Sequence, residues 1–193
     1  MSGLFQIYLY QMAKSFGKYF IAIVPDGDLQ DGATKVKEDL KDAFGLKYAL
    51  KSPAHVTVKM PFSWNEAKEN DLIDKVGAFL KDKTGFSLVF DGFGRFGKRV
   101  IYIKVKPNEQ LNLIQSELAE YCKRELNLVK ELSDSNYTPH MTVAFKDIKE
   151  KRFDEYWSFI KSQKIKIAHD VKSFSILKRI EGRWVVLSNI LLQ

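Results

Sequence analysis

An α+β chain of two similarly built halves facing each other across a cleft is the fold the sequence predicts, and three observations predict it. A four-residue phrase occurs twice, as His55-Val56-Thr57-Val58 and His140-Met141-Thr142-Val143. Around each copy the same order of elements recurs: an apolar strand, an amphipathic helix, the motif strand and a further helix. The spacing also recurs, with 82 residues from Pro25 to Pro107 and 85 from His55 to His140. Two copies at so long a period describe a duplicated half, not a solenoid. With three histidines and five threonines in 193 residues, composition alone gives the paired His-x-Thr coincidence roughly once in 500. The expected organisation is one bilobal domain over residues 1–193, with halves 18–96 and 97–193 and an N-terminal extension 1–17. Each half is expected to carry an antiparallel-type sheet and flanking helices around the central cleft.

In chain order, Phe5–Tyr10 fits either a strand or the start of a helix and is left unassigned. Tyr19–Val24 is a compact apolar run closed by Pro25-Asp26-Gly27, the pattern of a buried strand and its turn. Leu29, Ala33, Val36, Leu40 and Phe44 then share one helical face, and Gly45 is placed to cap it. A loop with Pro53 leads into a strand at His55–Lys59. Ser63-Trp64-Asn65-Glu66 has the form of a capping box, which predicts that a helix opens there and buries Leu72, Val76, Phe79 and Leu80. Phe86–Phe90 reads as a strand, and Asp91–Gly97 as a glycine-rich turn or the crossing between halves.

The second half repeats the first. Val100–Val105 is the strand, and Leu111, Ile114, Leu118 and Tyr121 mark the helix face. A polar loop, Ser133–Tyr137, precedes the second motif. Phe153, Tyr156, Trp157 and Ile160 predict a fourth helix, and Lys164–Leu177 and Trp184–Leu192 predict closing strands around a hairpin turn at Ile180–Arg183.

Bulk properties narrow the class. A chain that is 45% hydrophobic and 13% aromatic has the apolar content of a folded protein. Cys122 is alone, which excludes an intrachain disulfide and suits a reducing compartment. No apolar run approaches the ~18 residues of a membrane span, and Leu4–Met12 lacks the basic start and cleavage site of a secretory signal. The expectation is a cytoplasmic monomer with no membrane association and no protein partner evident. The net charge of +7 favours polyanions such as RNA, DNA or phosphorylated metabolites. Lysines interleaved with acids, as in Lys35–Asp39, equally describe a solvated surface.

The repeated phrase carries the chemistry. In a strand, residues i and i+2 share a face, so His55 and Thr57 point one way while Val56 and Val58 pack the other. The same holds for His140 and Thr142. Two opposed imidazoles can act as general base and general acid, since one can be neutral and the other protonated near neutral pH. In-line displacement at phosphorus needs such a pair, and hydroxyls beside it can donate to the non-bridging phosphate oxygens.

Pro53-Ala54-His55-Val56-Thr57-Val58 and Thr138-Pro139-His140-Met141-Thr142-Val143, in this repeat arrangement, resemble the paired His-x-Thr/Ser-x motifs of the two-histidine (2H) phosphoesterase superfamily, and specifically its 2′-5′ RNA ligase family. The resemblance runs from Lys18 to about Phe145. It implies a bilobal α+β fold and metal-independent action on 2′,3′-cyclic phosphates or 2′-5′ phosphodiester bonds of RNA or nucleotides, with ligation as the possible reverse. Carried over by position, His55 and His140 are the acid-base pair and Thr57 and Thr142 hold the phosphate. Which histidine is the acid is left open.

Other readings compete with this one. Two histidines and a carboxylate can bind iron or zinc, but no third ligand stands at a characteristic spacing, so no metal and no cofactor is assigned. A non-catalytic RNA- or nucleotide-binding module is the alternative of a different class, and it has no need of a matched acid and base. Lys59 and Lys146 lie close enough to the motifs to bind substrate, and Phe62, Phe96 and Phe145 are candidates to stack on a base. His169 lacks the threonine and is given no role. Gly92–Gly97 opens no helix and so does not fit a phosphate loop.

Overall fold

A computed structural model describes residues 15–129 and 131–193. Phe5–Tyr10 and Leu4–Met12 lie outside the described residues. Strand β1 spans Phe16–Ile23 and helix α1 Gly27–Phe44. The helix buries the apolar face expected from its spacing, Leu29, Ala33, Val36 and Leu40, and also Lys37. Gly45 ends it in the left-handed conformation at φ 76°, with its N–H on the carbonyls of Leu40 and Lys41.

Strand β2 runs Val56–Asn65, longer than the expected His55–Lys59, because it stays paired with β1 as far as Phe16↔Asn65. Ser63 is therefore a strand residue and not a helix cap. Asn65 caps a short 3-10 turn instead, its Oδ1 accepting from the Ala67 N–H, and helix α2 spans Glu69–Leu80. It buries Leu72, Val76 and Leu80, each worth about 1.5–3 kcal/mol of burial.

The glycine-rich stretch is also strand. Strand β3 covers Phe86–Phe96 and turns through Gly97 into β4, Val100–Val105. Its glycines do strand work: Gly92, at φ 67°, sits in the bulge between Phe90 and Phe93, and the Tyr102 ring lies across Gly94, where a Cβ would come within 2.4 Å of it. Helix α3, Glu109–Glu125, is followed by a single turn α4, Leu132–Ser135, and by β5, His140–Phe145. Helix α5, Phe153–Ser162, buries Phe153, Tyr156 and Ile160. The expected strand Lys164–Leu177 is two strands, β6 Lys166–Val171 and β7 Ser173–Ile180, and β8 is Arg183–Leu191. Glu181 and Gly182, at φ 48° and 78°, form the two-residue turn between β7 and β8.

All eight strands form one curled antiparallel sheet in the order β6-β3-β4-β5-β2-β1-β7-β8. The motif strands β2 and β5 meet in the middle, and a single register pair, Val56↔Met141, joins them. Four strands lie on each side of that seam, but the partition does not follow the chain break expected at residue 96/97. Strand β3 sits beside β4, because a short turn at Gly97 folds one back on the other. Strands β7 and β8 cross back to β1, so each side of the sheet is completed by strands from the other half of the sequence. The main core lies on the helix-covered face. A smaller cluster of Phe20, Ala22 and Leu177, with Trp184 against it, lies on the other face of β1.

Candidate active site

The seam sets the site. Val56 and Met141, both fully buried, mark the line between the motif strands, and Val58 and Val143 are buried with them. The alternation that sends these four inward leaves His55, Thr57, His140 and Thr142 on the opposite face, where they line one cleft of about 500 Å³.

Each histidine is held in the same way. The Nδ1 of His55 lies 2.8 Å from the carbonyl of Pro53, and the Nδ1 of His140 lies 2.7 Å from that of Thr138, in both cases two residues upstream. A carbonyl only accepts, so Nδ1 carries the proton in both rings and Nε2 is the nitrogen left to react. Each ring also rests on an aromatic pair. Phe20 lies 4.9 Å from His55 and packs edge-on to Trp184. Phe96 and Tyr102 lie 4.9 and 5.1 Å from His140.

Both imidazoles are shifted toward the neutral form. Burial pulls His55 down to about 4, and Lys37 and His140 add to the fall against the opposing pull of the Pro53 carbonyl. Burial lowers His140 as well, opposed by the Thr138 carbonyl. Bound phosphate would counter both shifts, since an anion beside an imidazole favours the protonated ring.

The loop carrying His55 is held from behind. The Gln30 side chain accepts from the Ala54 N–H at 2.8 Å and donates to the Ala54 carbonyl at 3.1 Å, clasping both sides of the residue before the histidine. Lys37, 2% exposed, donates from Nζ to the Ser52 carbonyl at 3.1 Å, and burial lowers its amine to about 8. The Tyr137 hydroxyl donates to the Thr57 carbonyl at 3.1 Å, tying the second half's loop to the first motif strand.

Two candidates from the sequence are displaced. Lys59 is not at the cleft. It is 2% exposed, paired with Asp134 and bonded to the Val129 carbonyl. The cause is a bulge. Ala22 and Ile21 are consecutive but oppose Thr57 and Lys59, so Val58 is extra and Val58 and Lys59 both face inward. The second motif strand has the same bulge, with Tyr102 and Ile101 opposing Thr142 and Ala144, and the buried residue there is Ala144. Phe62, 8% exposed, packs on Tyr19 and is not available to a base. Lys146 does line the cleft, as does Phe145, and Phe96 lines an adjoining recess with His140. His169 lies on β6, away from this cleft.

Several cleft residues carry no local signal in the sequence. Phe20, Arg179 and Trp184 arrive through the pairing of β1 with β7 and of β7 with β8, where Arg179 faces Trp184 across the hairpin. Gln30 was open to detection: Gln115 stands 85 residues on, the separation of the two histidines. Among the described residues no cluster of three His, Cys, Asp or Glu side chains could hold a metal ion, and no helix is long and apolar enough to cross a membrane.

Comparison with known proteins agrees with this geometry. A relative from Geobacillus sp. (strain WCH70), provisionally named a phosphoesterase, is 25% identical over 177 residues, which cover 90% of this chain and 95% of the relative. Another of the same provisional name, from Bacillus pumilus (strain SAFR-032), is 25% identical over 178 residues, covering 91% and 97%. Among solved structures, E. coli LigT complexed with 3′-AMP superposes with a TM-score of 0.66 at 17% identity, over 93% of this chain and 99% of LigT. TT0787 of Thermus thermophilus gives 0.62 at 14% identity, over 91% and 97%. These two show the shared fold. The model of the 2′-5′ RNA ligase superfamily matches residues 25–183, a span that takes in both motifs and the strands that exchange between the halves, and the chain belongs to that superfamily.

Proposed function

We propose that the protein is a metal-independent phosphodiesterase that acts on RNA ends or nucleotides bearing a 2′,3′-cyclic phosphate or a 2′-5′ linkage. One observation carries the reading: two histidines in one cleft, each with Nδ1 fixed on a carbonyl and Nε2 free, each with a threonine hydroxyl beside it on the same strand face. One imidazole takes the proton of the attacking water or hydroxyl. The other delivers a proton to the leaving oxygen, and Thr57 and Thr142 donate to the non-bridging oxygens as charge builds on them. Hydrolysis of a cyclic phosphate breaks one ester bond to phosphorus as water forms another, and the same machinery run in reverse joins a 2′-5′ bond.

Related folds crystallised with 3′-AMP, ATP and NADP+ support a nucleotide ligand. The test is turnover of the four nucleoside 2′,3′-cyclic phosphates and of a 2′-5′-linked oligonucleotide in the presence of EDTA. Release of a nucleoside monophosphate or cleavage of the 2′-5′ bond is expected. Activity abolished by EDTA and restored by one divalent metal would overturn the acid-base scheme.

A further inference from the structure

The two histidines and two threonines account for one phosphate, and a cyclic or 2′-5′ diester brings a single negative charge. The rest of the cleft carries more positive charge than that. Lys18, Lys146 and Arg179 also line it, and among the described residues its lining includes no Asp or Glu. The three come from separate elements: Lys18 from β1, Lys146 from just beyond β5, and Arg179 from β7.

They gather around Tyr48. Lys146 Nζ donates to the Tyr48 hydroxyl at 3.1 Å and also lies 4.8 Å from the ring centroid, with Lys51 at 4.9 Å from the same ring. The hydrogen bond from Lys146 holds the phenol below its ordinary range, and Arg179 and Lys51 pull in the same direction. This arrangement is built. Lys146 adopts a left-handed backbone at φ 62°, which a lysine rarely takes. Asp147 Oδ2 accepts the N–H groups of Lys47 and Tyr48 at 2.7 and 2.6 Å, binding the end of β5 to the turn that bears the tyrosine, and Phe145 packs edge-on to Tyr48 at 5.0 Å. That carboxylate is engaged by backbone N–H donors. Lys18 donates to the Ser63 hydroxyl, a neutral partner that leaves its charge uncompensated.

We propose that Lys18, Tyr48, Lys146 and Arg179 form a second phosphate subsite at one end of the cleft, so that the preferred substrate carries a further phosphate beside the one under attack. This rests on the phosphodiesterase reading of the same cleft. Lysine and arginine supply charge-assisted donors, and the Tyr48 hydroxyl adds a neutral one. The second phosphate is either a terminal monoester or the neighbouring diester of an oligonucleotide.

Binding separates this proposal from the chemistry. Titrating the protein with uridine 3′-phosphate, uridine 3′,5′-bisphosphate and the dinucleotide UpUp at low salt is expected to show about tenfold tighter binding for at least one ligand with two phosphates. A gain for the bisphosphate assigns a monoester, and a gain for UpUp alone assigns a diester. Arg179→Ala and Lys146→Asn, the latter chosen because Asn tolerates left-handed backbone, should each shrink the gain several-fold. Lys35→Ala, an equal charge loss on the exposed face of α1, should preserve it. Equal affinity for all three ligands, or a gain that survives both cleft substitutions, overturns the proposal. If neither cyclic uridine phosphates nor 5′-phosphorylated ones are turned over, the phosphodiesterase reading fails, and the titrations still decide the subsite.

Discussion

Two buried lysines hold the two loops that lead into the motif strands, and they do so by different electrostatics. Lys37, on α1, reaches the Ser52 carbonyl three residues before His55 and has no carboxylate on its ammonium, so burial lowers its amine to about 8. Lys59, on β2, reaches the Val129 carbonyl and Asp134 ahead of His140, and its charge is matched within the core. The repeat has duplicated the catalytic phrase, its carbonyl-bound histidine and its bulge, but not what stands behind them. Cys122, the residue 85 positions after Lys37, is a buried thiol pushed up to about 12. The site is thus symmetric where it meets phosphate and asymmetric underneath, as suits two imidazoles that must do opposite jobs.

The symmetric part is broken most severely at its centre. His55→Ala and His140→Ala should each lower kcat by about 10²–10⁴, measured on a 2′,3′-cyclic phosphate. The double variant should fall little further, because the two act as a unit; a wild-type rate in either single variant would remove the acid-base assignment. The asymmetric part shows next, in stability. Lys59→Met strands a buried Asp134 charge and should cost about 3–5 kcal/mol in urea unfolding. Lys37→Met strands only a carbonyl and should cost about 1–3 kcal/mol. Equal losses would mean that the two lysines are alike after all.

What could be read from the sequence follows the reach of each signal. The helix faces at Leu29–Leu40 and Leu111–Leu118, the glycine cap at Gly45 and the motif strands were legible, because each is fixed by periodicity or backbone chemistry within a few residues. Thr57 and Thr142 were placed beside their histidines for the same reason. Lys59 was misplaced because alternation holds only while the ladder is regular, and a bulge between Thr57 and Lys59 is set by the partner strand. The Ser63 box failed likewise: Ser63 and Trp64 pair with Lys18 and Gly17, and that ladder outweighs a local cap. Arg179 and Trp184 were out of reach, since only the return of β7 to β1 brings them to His55.

A smaller effect separates the two glutamines that stand 85 residues apart. Gln30 clasps the backbone of Ala54, whereas Gln115 donates to the Asp134 carbonyl at a longer 3.4 Å, well upstream of His140. Gln30→Leu should lower kcat about tenfold with less change in KM, because a loosened Ala54 misplaces His55 and not the phosphate-binding hydroxyls. Gln115→Leu should act on stability and leave kcat within about twofold. Steady-state kinetics paired with urea unfolding distinguishes the two, and a stability loss without a kcat loss in Gln30→Leu would make its clasp purely structural.

The smallest effect assigns the roles. Because both imidazoles are lowered, the bell of kcat/KM against pH should peak on the acid side of 6.5, the ordinary histidine value, and removing the cation behind one ring should move one limb. Near pH 6 Lys37 is an ammonium, so it opposes protonation of His55. In Lys37→Met that opposition is gone, and His55 rises by less than a unit, since burial is the larger cause and stays. If His55 is the base, it must be neutral to act, so the acid limb moves to higher pH and the rate at pH 5 falls. If His55 is the acid, it must be protonated, so the alkaline limb moves to higher pH and the rate at pH 7 rises. Cys122→Ala removes no charge in this range and should move neither limb. A profile for Lys37→Met that superimposes on the wild type would show that the asymmetry beneath the two histidines does not reach their chemistry.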